Sequence, residues 1–178
     1  MRVVRILVLA CAAIAAMTVP AAAQGFFTPF VGYNFGGDSV NCVSLGNCDE
    51  RHTNLGISFG STGRFTGTEQ DIGYAPHFFG ETADGKSAML TAMSSFLVIV
   101  PAGPVRPYGV LGFGLVRPRG KNALGYDIGV GANVFFTKRF GLRGDLRRMR
   151  SFRDVTLFES SEAHKLDFWR ASLGFTFR

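Results

Sequence analysis

The feature that most constrains this fold is an alternation of large apolar residues with small ones along several segments. In the clearest example Leu55, Ile57 and Phe59 are each separated from the next by a single glycine or serine. The same alternation holds in three later segments, 124–136, 140–149 and 166–177. A period of two places successive side chains on opposite faces of a β-strand, so the sequence predicts strands with one apolar face.

The second face of these strands predicts which side is enclosed. In a soluble sheet the apolar face packs on the core, and the other face carries residues that suit water. Here the second face carries mainly glycine with few charges, as at Asp127, Gly129 and Gly131. Small residues suit the inside of a narrow barrel, so the apolar faces are predicted to point outward into lipid.

Eight strand-like segments are expected between residue 24 and the last residue. They are 26–35, 53–61, 65–78, 88–100, 106–116, 124–136, 140–149 and 166–177. The connections alternate between short turns (61–64, 101–105, 136–139) and longer polar loops (36–52, 79–87, 117–123, 150–165). Short turns on one side and long loops on the other are typical of a transmembrane β-barrel. The predicted fold is therefore all-β: an eight-stranded antiparallel up-and-down transmembrane β-barrel.

In one segment the alternation of apolar and small residues is missing. Residues 94–100 are apolar at nearly every position. The alternation therefore does not indicate which of these side chains face inward.

Aromatic residues are expected to form two girdles, one at each membrane interface. The periplasmic set is Phe27, Phe65, Phe136, Phe140, Phe175 and Phe177. The outer set is Tyr33, Phe35, Tyr126 and Trp169. For any single Phe, filling a core is an equally good interpretation.

Composition excludes several classes of protein. The 178 residues include 23 Gly and 18 Phe and are 47% hydrophobic, which argues against disorder and favours strands. The unbroken apolar run 6–17 is shorter than the roughly 20 residues that a transmembrane helix needs. The formal charge of +6 falls to +4 without Arg2 and Arg5, too little to indicate binding to nucleic acid.

The first 23 residues are predicted to be a cleaved secretory signal peptide, which leaves 24–178 as the barrel domain. Arg2 and Arg5 precede the apolar run, and small alanines end at Ala23. The alternative is lipidation of Cys11 in a lipoprotein signal, but the apolar stretch before that residue is short. In an oxidising compartment Cys42 and Cys48 are predicted to form a disulfide. A metal site with His52 is the less favoured interpretation, because zinc normally has four ligands.

Several motifs resemble the outer-membrane β-barrel (porin-like) domain family. They are 78–81, 90–93, 106–117, 141–147 and the closing segment 166–177. The resemblance implies an eight-stranded barrel similar to the transmembrane domain of outer-membrane protein A, with no agreed activity and no catalytic residues. It also implies assembly by the barrel-assembly machinery, for which members often end on an aromatic residue. Here Phe177 is followed by Arg178.

Charged residues on the predicted inner face are expected to form a network in the lumen. They are Glu69, Asp71, Arg143, Asp145, Arg147 and Arg170. Buried charges need partners, and an eight-stranded lumen is just wide enough for side chains. The favoured interpretation is a lumen plugged by ion pairs. The alternative is a gated, narrow porin-like channel for small solutes.

Basic residues near the predicted outer rim could bind lipopolysaccharide phosphates. They are Arg117, Arg119, Lys121, Arg148 and Arg150, and a solvated loop is an equally good interpretation. Ser160, Glu162 and His164 lie together in one polar loop, which we interpret as coincidence rather than a catalytic site. The protein is therefore not expected to be an enzyme, with a lipid-modifying activity as the remote alternative.

The predicted function is that of an integral outer-membrane protein with a structural or surface-interaction role through its outer loops. It is expected to be monomeric or weakly associated, to contact outer-membrane lipid and lipopolysaccharide, and to need no metal or cofactor. The surface ligand, if there is one, is not identified by the sequence. A soluble lipocalin-like ligand carrier is the alternative from another class.

Overall fold

A computed structural model describes residues 24–36, 53–78, 88–118, 122–152 and 165–178. These residues form eight strands: β1 Gln24–Phe35, β2 Thr53–Thr62, β3 Thr66–Ala75, β4 Met89–Ile99, β5 Val105–Pro118, β6 Ala123–Phe135, β7 Phe140–Ser151 and β8 Asp167–Phe177. Most strands begin and end within two residues of the predicted bounds. The third strand is shorter than expected, because residues 76–78 form a turn.

Each strand pairs antiparallel with the next, and β8 pairs with β1, so the sheet closes into a barrel. At the seam Phe27 lies opposite Phe177, and Phe35 lies opposite Trp169. Closure leaves no unpaired sheet edge. Every strand can therefore satisfy its backbone hydrogen bonds within the barrel, as hydrocarbon requires. The predicted eight-stranded up-and-down barrel is thus confirmed.

The two ends of the barrel differ. At one end, here named the turn end, lie Gln24, Phe177 and the short connections 63–65, 100–104 and 136–139. Gly103, with φ of 68°, lets the chain reverse between β4 and β5 in a left-handed backbone conformation. At the opposite end, here named the loop end, the strands lead into the longer connections. The short and long connections alternate between the two ends of the barrel, as the sequence predicts.

The outer surface of the barrel is apolar, as expected for a lipid-facing sheet. Val31, Leu111, Val130 and Leu173 are each more than half exposed. Leu55, Ile57 and Phe59 of β2 also point outward, while Asn54 and Ser58 on the other face of the strand are buried. Exposed apolar surface of this extent needs an apolar environment around it.

The aromatic residues predicted for the two girdles lie on the outside at the expected ends. Phe27, Phe65, Phe136, Phe175 and Phe177 are exposed at the turn end. Phe140 is half-buried there because its ring packs against Phe175 and Phe177 at 5.7 and 5.5 Å. At the loop end the outward residues are Tyr33, Phe35, Trp169 and Tyr126, and the last packs on Phe152.

The fourth strand, whose inner face the sequence did not identify, points its odd-numbered residues inward. Met89, Met93, Leu97 and Ile99 are buried, whereas Phe96 and Val98 face outward. The pairing of Ile72 with Ala92 and of Leu111 with Phe96 fixes this parity. The strand is apolar on both faces because its inner residues build an apolar interior at both ends of the barrel.

Candidate functional site

The barrel interior contains a layer of buried charges, and Glu69 of β3 is one of its centres. Both oxygens of this carboxylate accept hydrogen bonds from arginines of β7 on the far side of the barrel. Arg143 Nη1 and Arg147 Nη2 each lie 2.5 Å from a Glu69 oxygen. Glu69 has no exposed surface, so these two guanidinium groups replace the water that the carboxylate would otherwise bind.

Arg147 is the second centre and links three strands, β3, β6 and β7. Besides Glu69, its guanidinium group donates to Asp127 of β6 at 3.1 Å and to Asp145 of its own strand at 3.2 Å. Asp71 of β3 lies 3.8 Å from Arg147 Nη1. Because Arg147 is completely buried, its charge is compensated by these carboxylates alone among the described residues.

Arg170 of β8 extends the layer on the other side. Its Nη1 lies 2.8 Å from an Asp71 oxygen, and Ser58 donates a hydrogen bond to the other oxygen at 2.9 Å. The Arg170 guanidinium also stacks over Phe30, 4.8 Å from the ring centre. All six residues named from the sequence are therefore brought into one connected layer.

Two members of this layer were missed by sequence reasoning. Asp127 was placed on the inner face but not in the network, although it pairs with Arg147 and accepts a hydrogen bond from Ser95 at 3.2 Å. Tyr108 accepts a hydrogen bond from Arg143 Nε at 2.7 Å and donates one to Asp145 at 3.0 Å. The inward parity of Asp127 was the available signal, whereas nothing in the sequence distinguishes Tyr108 from the aromatic residues of the girdles.

Apolar clusters close the charged layer on both sides. Toward the loop end lie Ala75, Phe78, Met89, Met93, Val116, Met149, Leu166 and Phe168. Toward the turn end lie Phe26, Leu97, Ile99, Tyr108 and Val110. Sequence reasoning expected glycine and ion pairs in the lumen and did not anticipate these clusters. The lumen of the described barrel is thus filled in three layers, with a charged layer between two apolar ones.

Little free space remains in the described interior. A crevice at the turn end has a free volume of about 10 Å³. A second cavity, between Asn34, Asn54 and Phe168, has a free volume of about 0 Å³. Room for one water molecule needs about 10–15 Å³ on this measure, so the side chains occupy nearly all of the lumen.

Among the residues predicted to contact lipopolysaccharide, Arg148 and Arg150 lie on the outer surface of β7 near the loop end. Arg148 makes two hydrogen bonds to Asp167, at 2.9 and 2.6 Å, and its guanidinium lies 5.9 Å from the Trp169 ring. Arg150 lies 4.0 Å from the same carboxylate. Arg117 is exposed on β5, two strands away, so the structure does not join it to this group.

Several predicted features lie outside the described residues. They are the signal peptide, Cys42, Cys48, His52, Arg119, Lys121, Ser160, Glu162 and His164.

Comparisons with known proteins agree with this architecture. The N-terminal β-barrel domain of Pseudomonas aeruginosa OprF is 14% identical, with a TM-score of 0.55, and the match covers 87% of this chain and 98% of that domain. Neisserial surface protein A is 13% identical, with a TM-score of 0.60 and coverage of 87% and 97%. Outer membrane protein H from P. aeruginosa is 17% identical, with a TM-score of 0.54 and coverage of 87% and 99%. At these identities the likeness shows the fold.

No curated protein matches the chain. Across the part of the chain that the structure describes, we find no helix with the length and apolarity needed to cross a bilayer. A family model for the outer membrane protein beta-barrel domain matches residues 9–178. The chain therefore belongs to the outer membrane protein beta-barrel domain family, and its location is the outer membrane of the cell.

Proposed function

We propose that this protein is a non-conducting outer-membrane barrel that acts through the connections at its loop end. In this proposal the filled lumen makes a rigid scaffold, and the four longer connections form the contact surface. The role is structural or surface-interactive rather than enzymatic. The family places short turns in the periplasm and longer loops outside the cell, so the loop end is the surface that other molecules meet.

The observation that carries this proposal is the complete burial of Arg147 among carboxylates from β3, β6 and β7. A charge in a low-dielectric interior is stable only while its partners hold it. Passing a solute would separate these groups and also displace the two apolar clusters. The packing therefore favours a plug over the porin-like channel.

Conductance in planar lipid bilayers tests this proposal. The purified, folded protein should give no steady ion-selective steps, whereas a large porin reconstituted in parallel should conduct. Regular steps whose size changes in an Arg147→Lys variant would show instead that ions pass through the charged layer. The same measurement therefore separates the plug from the channel.

The lipocalin-like carrier is not favoured by the described structure. A carrier needs an interior cavity of several hundred Å³ for its ligand, and the described lumen is filled. Its apolar residues would also have to face inward, whereas Val130 and Leu173 face outward.

We also propose that basic residues at the loop end bind phosphates of lipopolysaccharide. Arg150 supports this proposal best. Its side chain is 41% exposed, and at 4.0 Å from Asp167 its Nε makes only a long ion pair, which leaves its charge available to a phosphate. Arg148 already forms an ion pair with Asp167, and its guanidinium group lies beside the Trp169 ring. The proposal includes Arg117, Arg119 and Lys121, which the sequence places at or beyond the end of β5.

Binding of lipopolysaccharide to folded protein in micelles tests this proposal. An Arg148→Gln/Arg150→Gln double variant should bind more weakly, because it removes the positive charge from this part of the outer surface, including the Arg150 guanidinium that lies farther from Asp167. Arg64→Gln, which removes an arginine at the turn end, is the matched control and should bind normally. Equal binding by all three proteins would contradict the assignment.

A further inference from the structure

The turn end contains a crevice whose positively charged lining lies partly outside the charged layer that plugs the lumen. Among the residues that line it are three arginines, Arg106, Arg143 and Arg178, together with Tyr108 and Phe135. Its polar lining residues are otherwise Thr62, Asn133 and Thr176, so no lining side chain is a carboxylate. Because Arg143 is already ion-paired with Glu69 and Asp145, the uncompensated positive charge of the lining belongs to Arg106 and Arg178, and such charge attracts small anions.

Two of these arginines share a single aromatic ring. The Arg178 guanidinium lies 3.9 Å from the centre of the Phe135 ring, and the Arg106 guanidinium lies 5.7 Å from the same centre. The ion pairs of the described residues include neither arginine. Burial and then the positive charge of Arg106 lower the pKa of Arg178, as expected for neighbouring cations without a counter-charge.

The third arginine reaches the crevice from the charged layer. Arg143 uses Nη1 for Glu69 and Nε for Tyr108 and Asp145. Its Nη2 is buried without a hydrogen-bond partner among the described residues, and so is Nε of Arg178. Buried donors of this kind are destabilising unless an acceptor reaches them.

The size of the crevice limits what can bind there. Its free volume of about 10 Å³ is far below the several hundred Å³ of a pocket for an organic ligand, which favours a single small ion. In barrels of this family the turn end faces the periplasm, so a small ion reaches the crevice without crossing the plug.

We propose that this crevice binds one small monatomic anion of halide size, such as chloride, taken from the periplasm. The anion accepts hydrogen bonds from Arg143 Nη2 and Arg178 Nε and neutralises the Arg106–Arg178 pair. The site is separate from the proposed contact surface at the loop end. It joins β5, β6, β7 and the end of β8, and so stabilises the turn end of the barrel when it is occupied.

Chloride-35 NMR on folded protein in zwitterionic micelles tests the site directly. Bound chloride should broaden the chloride line beyond that of protein-free micelles, and added bromide should reverse the broadening. Arg106→Gln and Arg178→Gln should each lose most of the excess width. Arg64→Gln is the matched control, since this arginine also stacks on a phenylalanine at the turn end, at 5.2 Å from the Phe65 ring, but outside the crevice.

Stability of the unaltered protein provides a second readout that needs no variant. At equal ionic strength, the urea midpoint of unfolding should be higher in sodium chloride than in sodium gluconate, because gluconate is too large to enter. Equal midpoints in the two salts would overturn the proposal, as would equal loss of chloride broadening in Arg64→Gln and Arg106→Gln. Arg106→Lys keeps the charge and should retain part of the broadening, provided that its gel mobility shows a folded barrel.

Discussion

At the scale of single residues, the charged layer shows how burial changes the energetic contribution of an ion pair. Arg147 and Arg148 are neighbours in the sequence, and each contacts an aspartate. Arg147 points into the lumen with no exposed surface, whereas the Arg148 side chain is 45% exposed. Solvent screens exposed pairs strongly, while a buried charge that loses its partner stays unsolvated.

This contrast predicts different effects of the same substitution at adjacent positions. Arg147→Ala should lower the free energy of unfolding by about 3–5 kcal/mol, because it leaves Asp127 without its arginine partner. Arg148→Ala should cost at most about 1 kcal/mol. Urea unfolding in micelles, followed by circular dichroism, measures both. Similar losses for the two variants would show that the interior layer is better solvated than its burial indicates.

Tyr108 gives a second test at this scale. Tyr108→Phe removes the hydroxyl that joins Arg143 to Asp145 and keeps the ring in the apolar cluster. We expect a loss of about 1–3 kcal/mol in the free energy of unfolding, the usual result when buried partners lose a hydrogen bond. Tyr126→Phe, at an outward position beside Phe152, is the control and should change little. A neutral Tyr108→Phe would mean that the hydroxyl does not contribute to the layer.

At the scale of the strands, small residues allow the interior side chains to meet. Gly131 of β6 lies opposite Tyr108 of β5 and faces into the lumen. A Cβ atom there would lie 2.7 Å from the Cβ of Asp145, closer than real Cβ contacts. Gly109, one residue along β5, faces outward with nothing within 4 Å of such an atom. The two glycines therefore differ in what surrounds them.

Substitution at these two glycines should therefore give opposite outcomes. Gly131→Val should shift most of the protein to the heat-independent, unfolded gel mobility, because the new side chain displaces Tyr108 and Asp145. Gly109→Val adds an apolar group on the lipid-facing surface and should fold normally. Gel mobility with and without boiling, after isolation of outer membranes, separates the two results. Normal folding of Gly131→Val would contradict the tight packing of this layer.

At the scale of the whole molecule, the barrel has its apolar surface on the outside and its charges inside. Val130 is 63% exposed and Leu173 is 56% exposed, while the charged Glu69 has no exposed surface. This arrangement is stable in a bilayer, where backbone groups must bond to each other and apolar side chains can face lipid. In water the same surface would expose a large apolar patch.

Spin labels test this orientation. Labels at Val130 and Leu173 should be relaxed strongly by oxygen, which concentrates in lipid, and weakly by a water-soluble nickel complex. A label at Phe136, in the turn between β6 and β7, should respond more to the nickel complex. Strong nickel relaxation at Val130 and Leu173 would contradict the membrane-spanning orientation.

Local sequence patterns specify the strands, the outward faces of most of them and the sign of the charges inside, because a period of two is a property that each segment displays alone. They also select the six charged residues that meet in the lumen. The strand 89–99 could not be oriented this way, because both of its faces are apolar. Its parity depends on pairing with its neighbours rather than on its own residues.

Which charges meet depends on the tertiary structure. Glu69 lies on β3, and its two arginines lie on β7, 74 and 78 residues further along the chain. Their contact depends on the register of every strand pair between them and on the closure of β8 onto β1. The same closure brings Tyr108 into the charged layer and places Arg106 and Arg178 against one ring. Register and closure are collective properties of the barrel, so no single segment of the sequence encodes these contacts.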